Sequence, residues 1–179
     1  MTAYAAGQQT ASNPVQFQVG VPIGPLLDGY AFGAQCSTDV LVGSGCFYVD
    51  TFGVDTTIAQ SSVTPALFAG IVLRSNANPM PFSASYAGFS TTISAGLEAS
   101  VCTRASIPVL IAVANEGGGV PLIGSAVYCM IADGTFQSQT VGGAAPAGGV
   151  LTNFRVKTVL AGWSSAAPVL ITNIQNVGA

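Results

Sequence analysis

The chain has 179 residues, of which half are hydrophobic and only 6% are charged, with a formal net charge of −3. Its four Lys and Arg residues can neutralise few phosphates, which argues against nucleic-acid binding. No apolar run approaches the ~20 residues needed to cross a bilayer, and the chain has no His, the commonest general base. We therefore expect neither a membrane protein nor a histidine-dependent enzyme.

Charged residues are scarce for a protein of this size. An average soluble protein has about a quarter of its residues charged, and a monomer normally depends on that charge for solubility. A chain with 6% charged residues is more typical of a protein whose surface is covered by other protein. The composition therefore favours a binding or assembly component.

The first segment in chain order is small, polar and uncharged. Residues 1–14 contain too few large apolar groups to order themselves, so we expect an arm that a partner must capture. Val15–Val19 then alternates apolar and polar residues, as a strand added to a neighbour's sheet would. The amino terminus lacks a basic and then apolar leader, so we expect no secretion signal. We place the arm at residues 1–20 and a single domain at residues 21–179.

The rest of the chain has the pattern of many short strands. Apolar, β-branched and aromatic segments alternate with turns rich in Gly, Pro, Asn and Ser, which predicts about 9 to 11 strands and no long helix. The polar stretch Asp55–Pro65 reads as a loop, and Asp133-Gly134 as a hairpin turn. The main candidate strands are Gly29–Phe32, Gly45–Asp50, Leu67–Arg74, Ser125–Ala132, Thr135–Gln139, Asn153–Val159 and Val169–Ile174.

Residues Ile93–Val113 hold the strongest strand pattern. Leu97–Arg104 alternates apolar and polar residues, which predicts a half-buried strand. Ile107–Val113 is almost entirely apolar, which predicts a strand buried on both faces. A half-buried strand beside a fully buried one is typical of a closed or double-layered β structure, with the rest of the chain wrapped around the pair.

Catalytic groups are scarce in the sequence. The only Lys, Lys157, lies beside Arg155 in an alternating strand, where a solvated or interface charge is the ordinary role. Asp50, Asp55 and Asp133 lie in turns beside Gly, where Asp caps turns for structural reasons. Scattered carboxylates make neither a glycosidase pair nor a calcium loop. We predict no enzyme and no cofactor.

The four cysteines do not form a metal motif. Cys36, Cys46, Cys102 and Cys129 include no CxxC pair, so a zinc site would need an unfamiliar spacing. Buried free thiols are the favoured interpretation, and a disulfide pair stays open if the protein meets an oxidising compartment. We predict no metal.

A few side chains are candidates for partner binding. Arg74, Arg104 and Arg155 can each hold a carboxylate in a bidentate contact, although an exposed Arg is as often simply solvated. Trp163 is either a core or interface anchor or, in a sugar-binding protein, a stacking platform. With the arm included, the candidates are Tyr4, Gln8, Gln9, Val15, Phe17, Val19, Arg74, Arg104, Arg155 and Trp163.

Five short motifs occur in an order that resembles the structural cement proteins that decorate the heads of tailed bacteriophages. The resemblance spans about residues 15–175, with Ser94 where the family usually has Pro, a longer strand after Tyr128, and a long 141–149 loop. The motifs are GCFYVD at Gly45–Asp50, GIVLR at Gly70–Arg74, ISAG at Ile93–Gly96, Gly124–Tyr128 followed by Asp133-Gly134, and Asn153–Val156 with Val169–Ile174.

The resemblance implies a fold, a function and partners. It implies an all-β, jelly-roll-like barrel or sandwich with an extended N-terminal arm, on the outer surface of the capsid. There it would bridge neighbouring major capsid subunits, as a homodimer or, less favoured, a homotrimer, after assembly in the host cytoplasm. The alternative is a tail or fibre adhesin that binds host glycans. A lysin-type enzyme ranks third.

Overall fold

The computed structural model describes residues 30–49, 57–61, 67–73, 92–104, 108–115, 119–139, 143–159 and 169–173. All regular structure in these residues is β-strand, which confirms the all-β prediction. The strands are β1 Tyr30–Cys36, β2 Val40–Leu41, β3 Gly45–Tyr48, β4 Thr57–Ala59, β5 Phe68–Leu73, β6 Thr92–Ile93, β7 Glu98–Arg104, β8 Pro108–Asn115, β9 Ala126–Met130, β10 Phe136–Gln139, β11 Gly149–Val159 and β12 Val169–Asn173.

Ten of the strands form two closed five-stranded sheets. The N-terminal barrel has the order β1-β4-β3-β5-β7, and β7 pairs with β1 to close it. The C-terminal barrel has the order β10-β8-β12-β11-β9, and β9 pairs with β10 to close it. The remaining strands, β2 and β6, form a two-stranded ribbon. Closure leaves neither five-stranded sheet with a free edge along its paired strands.

The two barrels have the same connectivity. In each, the first strand pairs in parallel with the third and antiparallel with the fifth. The second strand pairs antiparallel with the third and the fourth, and the fourth pairs antiparallel with the fifth. The described chain is thus an internal repeat of one five-stranded unit, which the sequence analysis did not predict.

A turn before the second strand of the N-terminal barrel ties that strand to the fourth. Ser44 N–H donates to the carbonyl of Leu41 at 3.2 Å, which closes the turn, and Gly43 has a positive φ of 83°. A positive φ at the third position is the signature of a type II turn and favours Gly. Gly43 N–H donates to the Val72 carbonyl at 2.7 Å, and Val72 N–H donates back to the Ser44 carbonyl at 2.9 Å.

The C-terminal barrel repeats this turn bond for bond. Ser125 N–H donates to the Leu122 carbonyl at 3.1 Å, and Gly124 has a φ of 86°. Gly124 N–H donates to the Val156 carbonyl at 2.8 Å, and Val156 N–H donates to the Ser125 carbonyl at 3.1 Å. The sequences Leu-Val-Gly-Ser and Leu-Ile-Gly-Ser therefore occupy equivalent turns, with Val42 equivalent to Ile123.

The buried side chains form two clusters. One lies within the N-terminal half and comprises Ala34, Cys36, Val40, Val42, Cys46, Ile58, Ala69, Val72, Ile93, Ala99 and Val101. The second joins the two barrels and comprises Phe47, Ile71, Leu73, Cys102, Ile111, Val113, Val127, Cys129, Phe136, Phe154 and Val156. Because strands of both barrels contribute to the second cluster, the barrels share a core.

Phe68 of β5 lies where the barrels meet. Its ring centroid is 6.3 Å from that of Phe47 in its own barrel, 6.4 Å from Phe136 and 5.7 Å from Phe154 in the other, each in an edge-to-face arrangement. Edge-to-face packing places the positive ring edge against the negative face of its neighbour. Phe68 therefore links the interiors of the two barrels.

Two predictions about individual strands are wrong. The predicted neighbours in Ile93–Val113 are both strands, but β7 pairs with β1 and β5, whereas β8 pairs with β10 and β12. They belong to different barrels because the chain crosses from one repeat to the next between them. The predicted loop Asp55–Pro65 contains β4, which is held by backbone pairing to β1 and β3 despite its three-residue length.

Other predicted strands are confirmed. β3, β5, β9, β10, β11 and β12 lie where the apolar pattern places them, and Asp133-Gly134 turns between β9 and β10. β7 is more buried than predicted, because Cys102 on its second face is covered by the shared core. Within the described ranges, no helix is long and apolar enough to cross a membrane.

Candidate interaction surface

Only one predicted partner-binding side chain can be placed. Arg155 lies on β11, partly buried, and its backbone pairs with Ala126 of β9. For Arg104 the backbone alone is described, in β7 opposite Tyr30 of β1. The other candidates lie outside the described residues and stay predictions: Tyr4, Gln8, Gln9, Val15, Phe17, Val19, Arg74 and Trp163.

The outward face of β11 carries Arg155. Thr152, Phe154 and Val156 point into the barrel and are buried, so Leu151, Asn153, Arg155 and Lys157 alternate onto the outside. The strand is irregular between Leu151 and Arg155. There the Thr152 hydroxyl donates to the Val127 carbonyl at 2.6 Å and accepts the Phe154 N–H at 3.2 Å. These bonds hold the irregular segment and so fix where Arg155 emerges.

This outward face mixes apolar and cationic groups. Leu151 is 57% exposed and lies opposite Tyr128 of β9, which is half-buried. Arg155 and Lys157 account for two of the four cations in the chain. We call Tyr128, Leu151, Asn153, Arg155 and Lys157 the outer strip. Its apolar side chains can pack against another protein, and its cations can donate hydrogen bonds to carboxylates of that protein.

An exposed apolar turn borders the outer strip. Val120, Leu122 and Ile123 are 52%, 59% and 71% exposed, respectively. The turn is fixed to β11 through the bonds between Gly124, Ser125 and Val156 described above. No charged residue occurs between Gly119 and Met130. Three large, exposed apolar side chains therefore lie within four residues of one another on this turn.

The equivalent turn in the N-terminal barrel is covered. Val40 and Val42 are buried there, in one cluster with Ile93. The cover is the ribbon: β6 pairs antiparallel with β2, with Ile93 opposite Val40. In addition, Asp39 Oδ1 accepts the Ala95 N–H at 2.9 Å, which ties down the turn that follows β6. Leu41, the counterpart of Leu122, stays 42% exposed beside this ribbon, so Val42 is the turn residue that is buried here and, as Ile123, exposed in the C-terminal barrel.

Polar bonds reinforce the contact between the barrels. Gly45 N–H donates to the Gly134 carbonyl at 2.8 Å. The Gln60 amide donates to the Asp133 carbonyl at 2.6 Å, and its oxygen accepts the Leu41 N–H at 2.8 Å. Gln60 thus connects both barrels, and the sequence analysis, which placed it in a loop, missed this role.

Asp133 has the structural role that its sequence context predicts. Its Oδ1 accepts the Thr135 N–H at 2.9 Å and the Thr135 hydroxyl at 2.7 Å. These bonds cap the turn between β9 and β10. Among the described residues, no group of three or more His, Cys, Asp or Glu side chains is arranged to hold a metal ion.

All four thiols are free and buried, the favoured of the two interpretations. Burial raises the pKa of Cys46 well above its ordinary value, and the nearby Cys129 and Cys36 raise it further. Burial, and then the charge of Asp133, raises the pKa of Cys129. Burial, and then Asp39, raises the pKa of Cys36. Protonated thiols are poor nucleophiles and poor metal ligands.

No family model matches the chain, and no curated protein matches it at a significant level.

Proposed function

We propose that the protein is a capsid cement protein. It binds the outer surface of a bacteriophage head and bridges neighbouring major capsid subunits, which stabilises the shell against the pressure of the packaged DNA. The outer strip, where Leu151 is 57% exposed beside Arg155 and Lys157, is the observation that carries this proposal. It supports a protein partner because a large apolar group is left open on a chain with very few charges.

A mechanical role fits the side chains of the surface. Full burial of one Leu or Ile side chain contributes about 1.5–3 kcal/mol. Leu151 therefore offers one such contribution before the costs of association are subtracted. On a shell this gain is repeated at every bound copy. The role needs no catalytic group, cofactor or metal.

The outer strip supports a mixed interface. Arg155 is partly buried on the ordered strand β11, so its side chain is restricted before a partner arrives. A guanidinium held in this way can make a bidentate contact with a carboxylate of the capsid subunit. Lys157 is exposed two residues along the same face. The strip can therefore dock β11 on an acidic site of the shell.

We propose further that residues 1–20 form an extended arm and that residues 21–179 form one jelly-roll-like domain that includes both barrels. The arm extends the contact to a neighbouring subunit, and the protein self-associates, with a homodimer favoured over a homotrimer. Its location is the outside of the virion, after assembly in the host cytoplasm.

Head binding by full-length variants tests the function. Purified heads that lack the protein are incubated with wild type, Leu151→Asp, or Leu97→Asp as a matched control. Leu97 is an exposed apolar residue of the N-terminal barrel, next to the Gly96 turn. We expect Leu151→Asp to lower occupancy and the heat resistance of the heads, and Leu97→Asp to retain both. Equal occupancy for all three proteins would remove the outer strip from the interface.

A further inference from the structure

The two equivalent turns differ in the strand that lies beside them. Each turn has the same two bonds to the fourth strand of its barrel. In the N-terminal barrel the residues before Gly43 form β2 and accept β6 as an antiparallel partner. In the described part of the chain, the residues before Gly124 form no such ribbon. The repeat thus shows what kind of ligand fits the open turn: an extended segment with an apolar side chain facing inward.

We propose that the edge Val120–Ile123 of one copy takes residues Val15–Val19 of a second copy as an added antiparallel strand. This inference depends on the self-association included in the proposed function, and it supplies the surface and the segment that make the contact. The added strand would cover Ile123, whose counterpart Val42 is buried in one cluster with Ile93 of β6. Main-chain hydrogen bonds would then give the contact its affinity, and the apolar side chains would determine its register.

The sequence of this segment fits the edge. Val15, Phe17 and Val19 alternate with Gln16 and Gln18, so one side of an extended strand is wholly apolar. Residues 2–27 contain no charged side chain, and neither do residues 119–130. No charge therefore has to be desolvated when the two segments meet. The N-terminal ribbon shows the same preference, since β2 and β6 together are Val-Leu and Thr-Ile.

The length of chain before β1 allows the exchange. Residues 20–29 connect this segment to β1 and, fully extended, span up to about 33–36 Å at ~3.3–3.6 Å per residue. This length lets Val15–Val19 reach an adjacent copy without opening either barrel. Exchange of a terminal segment between identical chains is a low-cost route to a dimer, because each copy already contains both complementary parts.

Self-association of the full chain tests the proposal. Sedimentation velocity over a wide concentration range is measured for wild type, Ile123→Asp, Phe17→Asp and the control Leu97→Asp. We expect the first two variants to weaken association by at least about tenfold, an energy loss of ~1.4 kcal/mol, and the control to match wild type. Ile123 is largely exposed, so its variant should fold normally, which circular dichroism checks. A 1:1 mixture of the two weakened variants should form a heterodimer, since one retains the arm and the other the edge.

Three results would overturn the proposal. Wild type that stays monomeric throughout would exclude a second copy. Association that is unchanged in Ile123→Asp, or lost equally in Leu97→Asp, would exclude this edge. Monomeric wild type whose only Trp, Trp163, changes emission in Ile123→Asp would assign the edge to residues 160–168 of the same chain. Head occupancy is measured in a separate experiment. The cement proposal can therefore fail while the self-association proposal holds, and the self-association proposal can fail while the cement proposal holds.

Discussion

Val42 and Ile123 occupy equivalent turns of the two barrels, yet Val42 is 4% exposed and Ile123 is 71% exposed. The backbone bonds of the two turns agree, so the difference does not come from the turns themselves. The ribbon of β2 and β6 lies beside the N-terminal turn, and the described residues form no such ribbon beside the C-terminal turn. The internal repeat therefore places a buried and an exposed apolar residue at equivalent positions.

The ring of Phe68 should be the largest single contributor to the contact between the barrels. It contacts Phe47, Phe136 and Phe154 across the shared core. We expect Phe68→Ala to lower the free energy of unfolding by about 3–5 kcal/mol, since it removes an aromatic side chain from a packed site. Urea denaturation measures the loss. The matched control is Leu67→Ala, one residue away and exposed, and a similar loss there would contradict a specific role for Phe68.

Gly45 should tolerate no side chain, because β3 approaches the other barrel closely. A Cβ at Gly45 would collide with the Cys129 sulfur and press on Phe136 and Phe68 at 3.1 and 3.2 Å. We expect Gly45→Ala to cost about 1–3 kcal/mol of stability by overpacking. Cys129→Ala removes the sulfur, so the double variant should lose less stability than the sum of the single variants. If the two losses of stability simply add in this double-mutant cycle, measured by denaturation, the two sites are independent.

A side chain added at Gly124 should destabilise the protein through backbone strain alone. The φ of Gly124 is 86°, and nothing lies within 4 Å of a Cβ added there. We expect Gly124→Ala to cost about 1–2 kcal/mol, the strain of a left-handed conformation for an L-residue. Gly96, with a φ of 83° and equally open surroundings, is the matched comparison and should lose a similar amount. A much larger loss of stability for Gly124→Ala than for Gly96→Ala in thermal unfolding would show that a side chain at Gly124 also disturbs packing.

The buried thiols should make stability fall at alkaline pH. Three of them, Cys36, Cys46 and Cys129, have a pKa raised in the folded state, chiefly by burial. The unfolded thiols ionise near pH 8.5, while the folded ones keep their protons, so unfolding releases protons above that pH. The contribution is therefore complete below about pH 8 and is lost progressively as the pH rises toward the folded values. We expect the free energy of unfolding to decline from about pH 8.5 upward.

A thiol reagent provides the check on that behaviour. At neutral pH the native protein should react slowly at all four cysteines, and the protein unfolded in guanidinium should react at all four at once. The Cys129→Ala variant should show a shallower alkaline decline than wild type. Rapid labelling of the native protein would contradict the burial of the thiols. So would a Cys129→Ala variant whose free energy of unfolding declines with pH as steeply as that of wild type.

Local pattern predicted the strands and missed the way in which they combine. Alternation of apolar residues placed β9, β10 and β11, because each has one face in a core. Pairing across a repeat leaves no local signal, so β7 and β8 read as neighbours although they belong to different barrels. β4 is three residues long, too short for a period to be visible. The available clue was the repeated Leu-x-Gly-Ser at Leu41–Ser44 and Leu122–Ser125.

The candidate surface was predicted only in part. Arg155 could be named because a cation in an alternating strand must point outward. Val120, Leu122 and Ile123 were missed, since an apolar run beside a Gly-rich segment reads equally well as core. The exposure of Ile123 becomes evident only when its turn is compared with the equivalent N-terminal turn, in which Val42 is buried. Gln60 was missed because its two partners come from turns far apart in the chain.

The most direct test of the cement proposal is whether the chain occurs on purified bacteriophage heads, in what number of copies and at which position. Quantitative mass spectrometry gives the ratio to the major capsid protein, and image reconstruction gives the location. The proposal predicts a fixed ratio, with density on the outer surface that bridges neighbouring capsid subunits and a C-terminal barrel that faces the shell. Heads that lack the protein, or density confined to the tail, would contradict it.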